Sequence, residues 1–145
     1  MIAAYYRRLT HPDREVQMHA ARAWSVWEGS TLSLVQDPER VKLFGADNYA
    51  IAFARIECHY FVNRGFFAQD GQLLANAHRL KAIPGVIIQG RYDVVTPMET
   101  AWALRRAWPE ARFEIIADAG HTATEPGIAD ALIRATDGFA HAADA

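Results

Sequence analysis

One cysteine, Cys58, stands in 145 residues, so no disulfide can close within the chain and a reducing, cytoplasmic setting is expected. No run approaches the roughly 18 consecutive apolar residues of a membrane span. The start does not read as a secretory signal, because Tyr5-Tyr6-Arg7-Arg8 and His11-Pro12-Asp13 follow too soon after Met1. Charge of one sign is lacking too: 15 Lys and Arg against 17 Asp and Glu leave a formal −2 and a pI near 6.3. That balance offers no electrostatic footprint for nucleic acid or an anionic membrane. His11, His19, His59 and His78 show no metal-ligand spacing with one another, and no metal or cofactor is implied. Internal repeats and low-complexity tracts are also absent. What remains, 51% hydrophobic and 22% charged, describes an ordinary globular chain long enough for one proper core.

The chain changes character near residue 83. Before it, the signals are almost all helical. Asp13 can cap a helix running to about Glu28, with Val16, Ala20, Ala23, Trp24 and Trp27 as its apolar stripe and Gly29 as its stop. A second helix is predicted from Asp47 to about Val62, with Tyr49, Phe53, Ile56 and Tyr60 on its stripe and Asn63-Arg64-Gly65 ending it. Shorter helical pieces are expected around Pro38–Phe44 and Gln72–Leu80. After residue 83, Val86-Ile87-Ile88 reads as a strand buried on both faces of a parallel sheet. Thr96-Pro97-Met98-Glu99 reads as a capping box opening a helix that stops at Pro109. Phe113–Ile116 is the next strand, Asp118-Ala119-Gly120-His121 the loop after it, and Ile128, Leu132, Ala135 and Phe139 one face of a last helix. Strand–helix–strand–helix order predicts an α/β fold with parallel strands. Two strands are too few for a stable sheet of this kind, which suggests part of a larger whole.

Functional groups in doubly wound sheets gather at the carboxyl ends of strands. Asp93 follows the first strand and His121 the second. An acid and then a histidine, on successive strand ends, is the order of the last two triad members in α/β-hydrolases. In such a triad the carboxylate fixes the imidazole tautomer and the histidine carries the proton. Each residue has a plainer reading, Asp93 as a turn residue and His121 as a structural loop histidine; the joint placement favours the catalytic one.

The run Gly90-Arg91-Tyr92-Asp93-Val94-Val95-Thr96-Pro97-Met98, followed by Ala119-Gly120-His121, resembles the C-terminal portion of the proline iminopeptidase family. The resemblance extends through Trp24-Ser25-Val26-Trp27-Glu28-Gly29 and Ala54-Arg55-Ile56-Glu57-Cys58-His59, and so covers nearly the whole chain. It implies a partial α/β-hydrolase fold, with residues 1–82 as a helical cap portion and 83–145 as the C-terminal portion of the core. It also implies Asp93 as the triad acid, His121 as the base, and Glu28 and Glu57 as the carboxylates holding the substrate's amino terminus. The expected substrate is a peptide with an N-terminal proline, and Phe61, one turn beyond Glu57, is placed against the proline ring. Plainer roles stay open: an arginine partner for Glu57, ordinary solvation for Glu28, and core packing for Phe61, Trp24 and Trp27. Neighbours along a helix do not face each other, so Cys58 and His59 do not read as a dyad.

The family's nucleophile lies in a Gly-x-Ser-x-Gly elbow, and the chain has none: its only serines are Ser25, Ser30 and Ser33. The expectation is therefore a serine aminopeptidase portion with acid and base but no nucleophile, inactive alone. Alternatives are another capped α/β-hydrolase, such as an esterase or epoxide hydrolase, or a chain acting only by pairing with a second copy or with a complementing N-terminal portion.

Overall fold

The computed structural model describes residues 1–143. The chain divides into two compact units, one of Met1–Thr31 with Gln36–Asp70, the other of Leu32–Val35 with Gly71 onward.

The first unit is helical: α1 (Ile2–Leu9), α2 (Arg14–Thr31), α3 (Pro38–Gly45) and α4 (Asp47–Val62). Asp13 accepts from the Glu15 amide at 2.8 Å and starts α2, while Asp37 accepts from the Glu39 and Arg40 amides and starts α3, with Pro38 at its first position. After α4 the backbone turns left-handed at Arg64, Gly65 and Phe66 (φ 53°, 62° and 62°), which ends the helix at Asn63 as expected. Leu9, Ala20, Ala21, Trp24, Ala50, Ala54 and Cys58 form the core, with Ile2 and Tyr5 of α1 packed against it.

Three expectations need correction here. The buried face of α2 is not the stripe of large residues: Trp27 is 63% exposed and Ala23 is exposed, whereas Ala21, Trp24, Ser25, Glu28 and Gly29 are buried. On α4, likewise, Ile56 and Tyr60 face outward and Ala50, Ala54 and Cys58 are buried. Both buried faces carry small residues four apart, and Ser25 Oγ donates to the Ala50 carbonyl at 3.1 Å. Small side chains let helix axes approach closely, so side-chain size, not apolarity alone, chose these faces. Finally, Gly29 does not end α2. A Cβ there would lie 2.9 Å from Phe44 Cγ, so the glycine serves close packing on α3. The spacing also left α1 unassigned, although Ile2, Tyr5 and Leu9 recur on one helical face.

The second unit holds α5 (Gln72–Ala75), a 3-10 turn (Ala77–Leu80), β1 (Val86–Gly90), α6 (Met98–Ala107), β2 (Arg112–Ile116) and α7 (Pro126–Ala143). The strands pair in parallel, from Val86 opposite Arg112 to Gly90 opposite Ile116. Val86, Ile87 and Ile88 are only half-buried; the buried residues of β1 are Gln89 and Gly90. Among the described residues the sheet has two strands, so each keeps one unpaired edge. The expected capping box is not formed either. Pro97 is the N-cap of α6, without a side-chain cap, and the Thr96 hydroxyl is engaged elsewhere. No helix among the described residues is long and apolar enough to cross a membrane.

Candidate active site

Parallel pairing brings the carboxyl ends of β1 and β2 side by side, and the loops beyond them continue the ladder. The Arg91 amide donates to Ile116 O at 2.9 Å and the Tyr92 amide to Ala119 O at 3.0 Å. A Cβ on Gly90 would lie 1.9 Å from Gly120 O, and one on Gly120 would lie 2.8 Å from the Leu34 amide nitrogen. Only glycine permits backbones this close. Asp93 and His121 follow directly from this contact.

Asp93 is buried, and its carboxylate is held at both oxygens. Oδ1 accepts from the amides of Val95 (2.9 Å) and Thr96 (2.8 Å). Oδ2 faces the Thr96 hydroxyl (2.8 Å), His121 Nδ1 (3.0 Å) and Gln89 Nε2 (3.3 Å). Burial pushes this carboxyl's pKa up, but the hydrogen bonds from the Thr96 amide, His121 and the Thr96 hydroxyl outweigh it, and the net shift is downward. An ionised carboxylate only accepts, so Nδ1 of His121 is the ring nitrogen that presents a hydrogen to it. The His121 side chain is 34% exposed. Its loop is anchored within the same unit: the His121 and Thr122 amides donate to Leu32 O at 2.8 and 2.9 Å. Glu125 accepts from the Gly120 amide at 2.7 Å and the Leu34 amide at 3.2 Å.

The helical unit groups the other expected residues around Trp24. The Trp24 indole Nε1 donates to Glu57 Oε2 at 2.5 Å, so the partner of Glu57 here is an indole N–H, where the sequence pointed to an arginine or a ligand. Phe61, half exposed, lies one turn on from Glu57, with its ring centroid 6.1 Å from that of Trp24. Tyr5 meets Trp24 edge-on at 5.0 Å. Glu28 follows Trp24 by four residues on α2, on the same face, and is only 6% exposed. Its burial departs from the solvated residue that position alone suggested. Cys58 is buried with its Sγ toward Ile2 O, and burial, then the neighbouring Glu57 charge, raises its thiol pKa.

Sequence reasoning assigned Trp24 to the core, Thr96 to a helix cap, and Gln89 and Glu125 no role. Thr96 had a readable signal: it stands three residues after Asp93, the reach of an aspartate that bonds its own following backbone.

No protein-family model matches the chain. Curated relatives do. It is 59% identical over 139 residues to the probable proline iminopeptidase of Leptolyngbya boryana, covering 96% of this chain and 43% of the relative. It is 54% identical over 140 residues to the proline iminopeptidase of Xanthomonas citri (97% and 45%) and 49% identical over 137 residues to that of Arabidopsis thaliana (94% and 36%). The chain thus spans less than half the length of these relatives, and over nearly all of its own length it is similar to proteins named proline iminopeptidase.

Proposed function

We propose that this chain supplies the acid, the base and the amine-binding residues of a proline iminopeptidase. It corresponds to the C-terminal part of that enzyme's α/β-hydrolase fold: residues 1–82 are the cap portion and 83–145 the end of the core. The observation that carries the reading is the Asp93–His121 pair, joined at 3.0 Å on the ends of two parallel strands. The relatives' shared name, proline iminopeptidase, supports release of an N-terminal proline as the reaction.

In this reading a serine hydroxyl gives its proton to His121 Nε2 as its oxygen attacks the prolyl carbonyl carbon. His121 then protonates the departing amine, and a water repeats the sequence to free proline from the acyl-serine. Asp93 holds the ring and stabilises the imidazolium. Glu28 and Glu57 receive the prolyl ammonium through charge-assisted hydrogen bonds, Trp24 orients Glu57, and Phe61 offers an apolar face to the ring. The serine comes from polypeptide outside these residues. Ser25 is buried and donates to Ala50 O, and Ser30 donates to Val26 O, which supports neither as nucleophile. An open edge of β1 and an apolar groove of about 740 Å³ lined by Leu73, Leu74, Leu80, Ile87 and Leu104 suit a chain completed by further sheet.

The test is a chimera in which residues 1–145 replace the matching part of the Xanthomonas citri relative. Proline release from a prolyl amide is expected for the chimera and none for the chain alone. A folded chimera that releases no proline would sink the reading.

A further inference from the structure

Thr96 touches both members of the acid–base pair. Its Oγ1 lies 2.8 Å from Asp93 Oδ2 and 3.1 Å from His121 Nδ1, and those two atoms are themselves 3.0 Å apart. A hydroxyl has one hydrogen to give and lone pairs to receive with. Because the carboxylate only accepts, the hydrogen points at Oδ2, and a lone pair of Oγ1 is left facing the Nδ1 hydrogen of His121. The same residue grips the other carboxylate oxygen through its backbone, with Thr96 N 2.8 Å from Oδ1. Turning the carboxylate about its side-chain bond would break both contacts at once.

From this triangle we infer that Thr96 is a positioning residue, whose hydroxyl locks the Asp93 carboxylate and the His121 imidazole into one relative orientation by donating to the first and accepting from the second. The inference rests on the reading of Asp93 and His121 as acid and base given above. Buried Gln89 supports the arrangement: its Nε2 lies 3.1 Å from Thr96 O and 3.2 Å from Gly90 O as well as beside Oδ2, which ties the loop to the end of β1. When His121 takes up a proton, the Nδ1 hydrogen is shared between Oδ2 and Oγ1, so charge develops without either side chain moving.

The experiment is NMR on the isotope-labelled chain itself, comparing the parent with Thr96→Val and Thr96→Ser. Thr96 is exposed, so valine keeps the shape and the backbone N–H without threatening the fold; unchanged amide spectra for β1 and β2 serve as the control. Two signals are read: the titration midpoint of the Asp93 carboxyl and the solvent-exchange rate of the His121 Nδ1 hydrogen. Thr96→Val is expected to raise the midpoint and to speed exchange about fivefold or more, the factor one hydrogen bond is worth. Thr96→Ser is expected to restore both to within about twofold of the parent, since it keeps the donor. The inference is overturned if Thr96→Val moves neither signal, or if Thr96→Ser behaves like Thr96→Val, which would make the methyl group and not the hydroxyl the operative part. Neither signal depends on hydrolysis. An inactive chimera would count against the proposed function alone, and unmoved signals would count against Thr96 alone.

Discussion

The two units place their key side chains by different means. In the helical unit, geometry follows from packing: small residues on α2 and α4 let the helices close up, and Trp24, wedged between Tyr5 and Phe61, presents its indole N–H to Glu57. In the strand-bearing unit, geometry follows from backbone hydrogen bonds: two paired strands, two loops that extend their ladder, and glycines where the loops touch. A packed site tolerates change at its surface and fails when volume changes. A hydrogen-bonded site fails when a backbone is pushed or a donor is lost.

That contrast can be broken by substitution. The largest effect is expected for Trp24→Ala, about 3–5 kcal/mol of lost stability by denaturant unfolding, set against less than about 0.5 kcal/mol for exposed Trp27→Ala. Equal losses at the two tryptophans would contradict the packing described for α2. Next comes Gly90→Ala in the other unit. Its methyl would meet Gly120 O at 1.9 Å, and a loss of about 3 kcal/mol is expected, with amide protection in β1 and β2 falling most. Ala54→Leu then tests the small-residue faces: fully buried Ala54 has no room for a larger side chain, and about 1–3 kcal/mol should be lost.

The smallest effect is a pH dependence. The Asp93 carboxyl titrates below its ordinary range in the folded chain, so the unfolded state binds its proton more readily. The stability this contributes is full above the unfolded value of about 3.9 and is lost as pH falls through the lower folded value. Acid unfolding of Asp93→Asn should therefore show a shallower slope below about pH 4 than the parent. An identical slope would mean that the hydrogen bonds to Asp93 do not favour its ionised form.

The same contrast explains what was legible in the sequence. That Asp93 and His121 meet could be read, because parallel strands put their carboxyl ends together whatever the side chains are. The α4 boundaries were readable too, from Asp47 and from Asn63-Arg64-Gly65. The inward faces of α2 and α4 were not, because a periodicity of large apolar residues cannot distinguish a core stripe from an outward one when close helix packing selects alanine, serine and glycine. Thr96 was misread because threonine before Pro-x-Glu is a sound cap signal in isolation; a buried carboxylate three residues earlier competes for the same hydroxyl, and in this fold it wins.

In the proposed reaction His121, held by Asp93, moves the proton for an acyl transfer at proline. That role is read from kcat for prolyl-amide hydrolysis in the chimera with His121→Ala. A fall on the order of 10³-fold or more is expected with the fold intact. A variant that keeps kcat within about tenfold of the parent chimera, far less than a triad histidine's share, would contradict it.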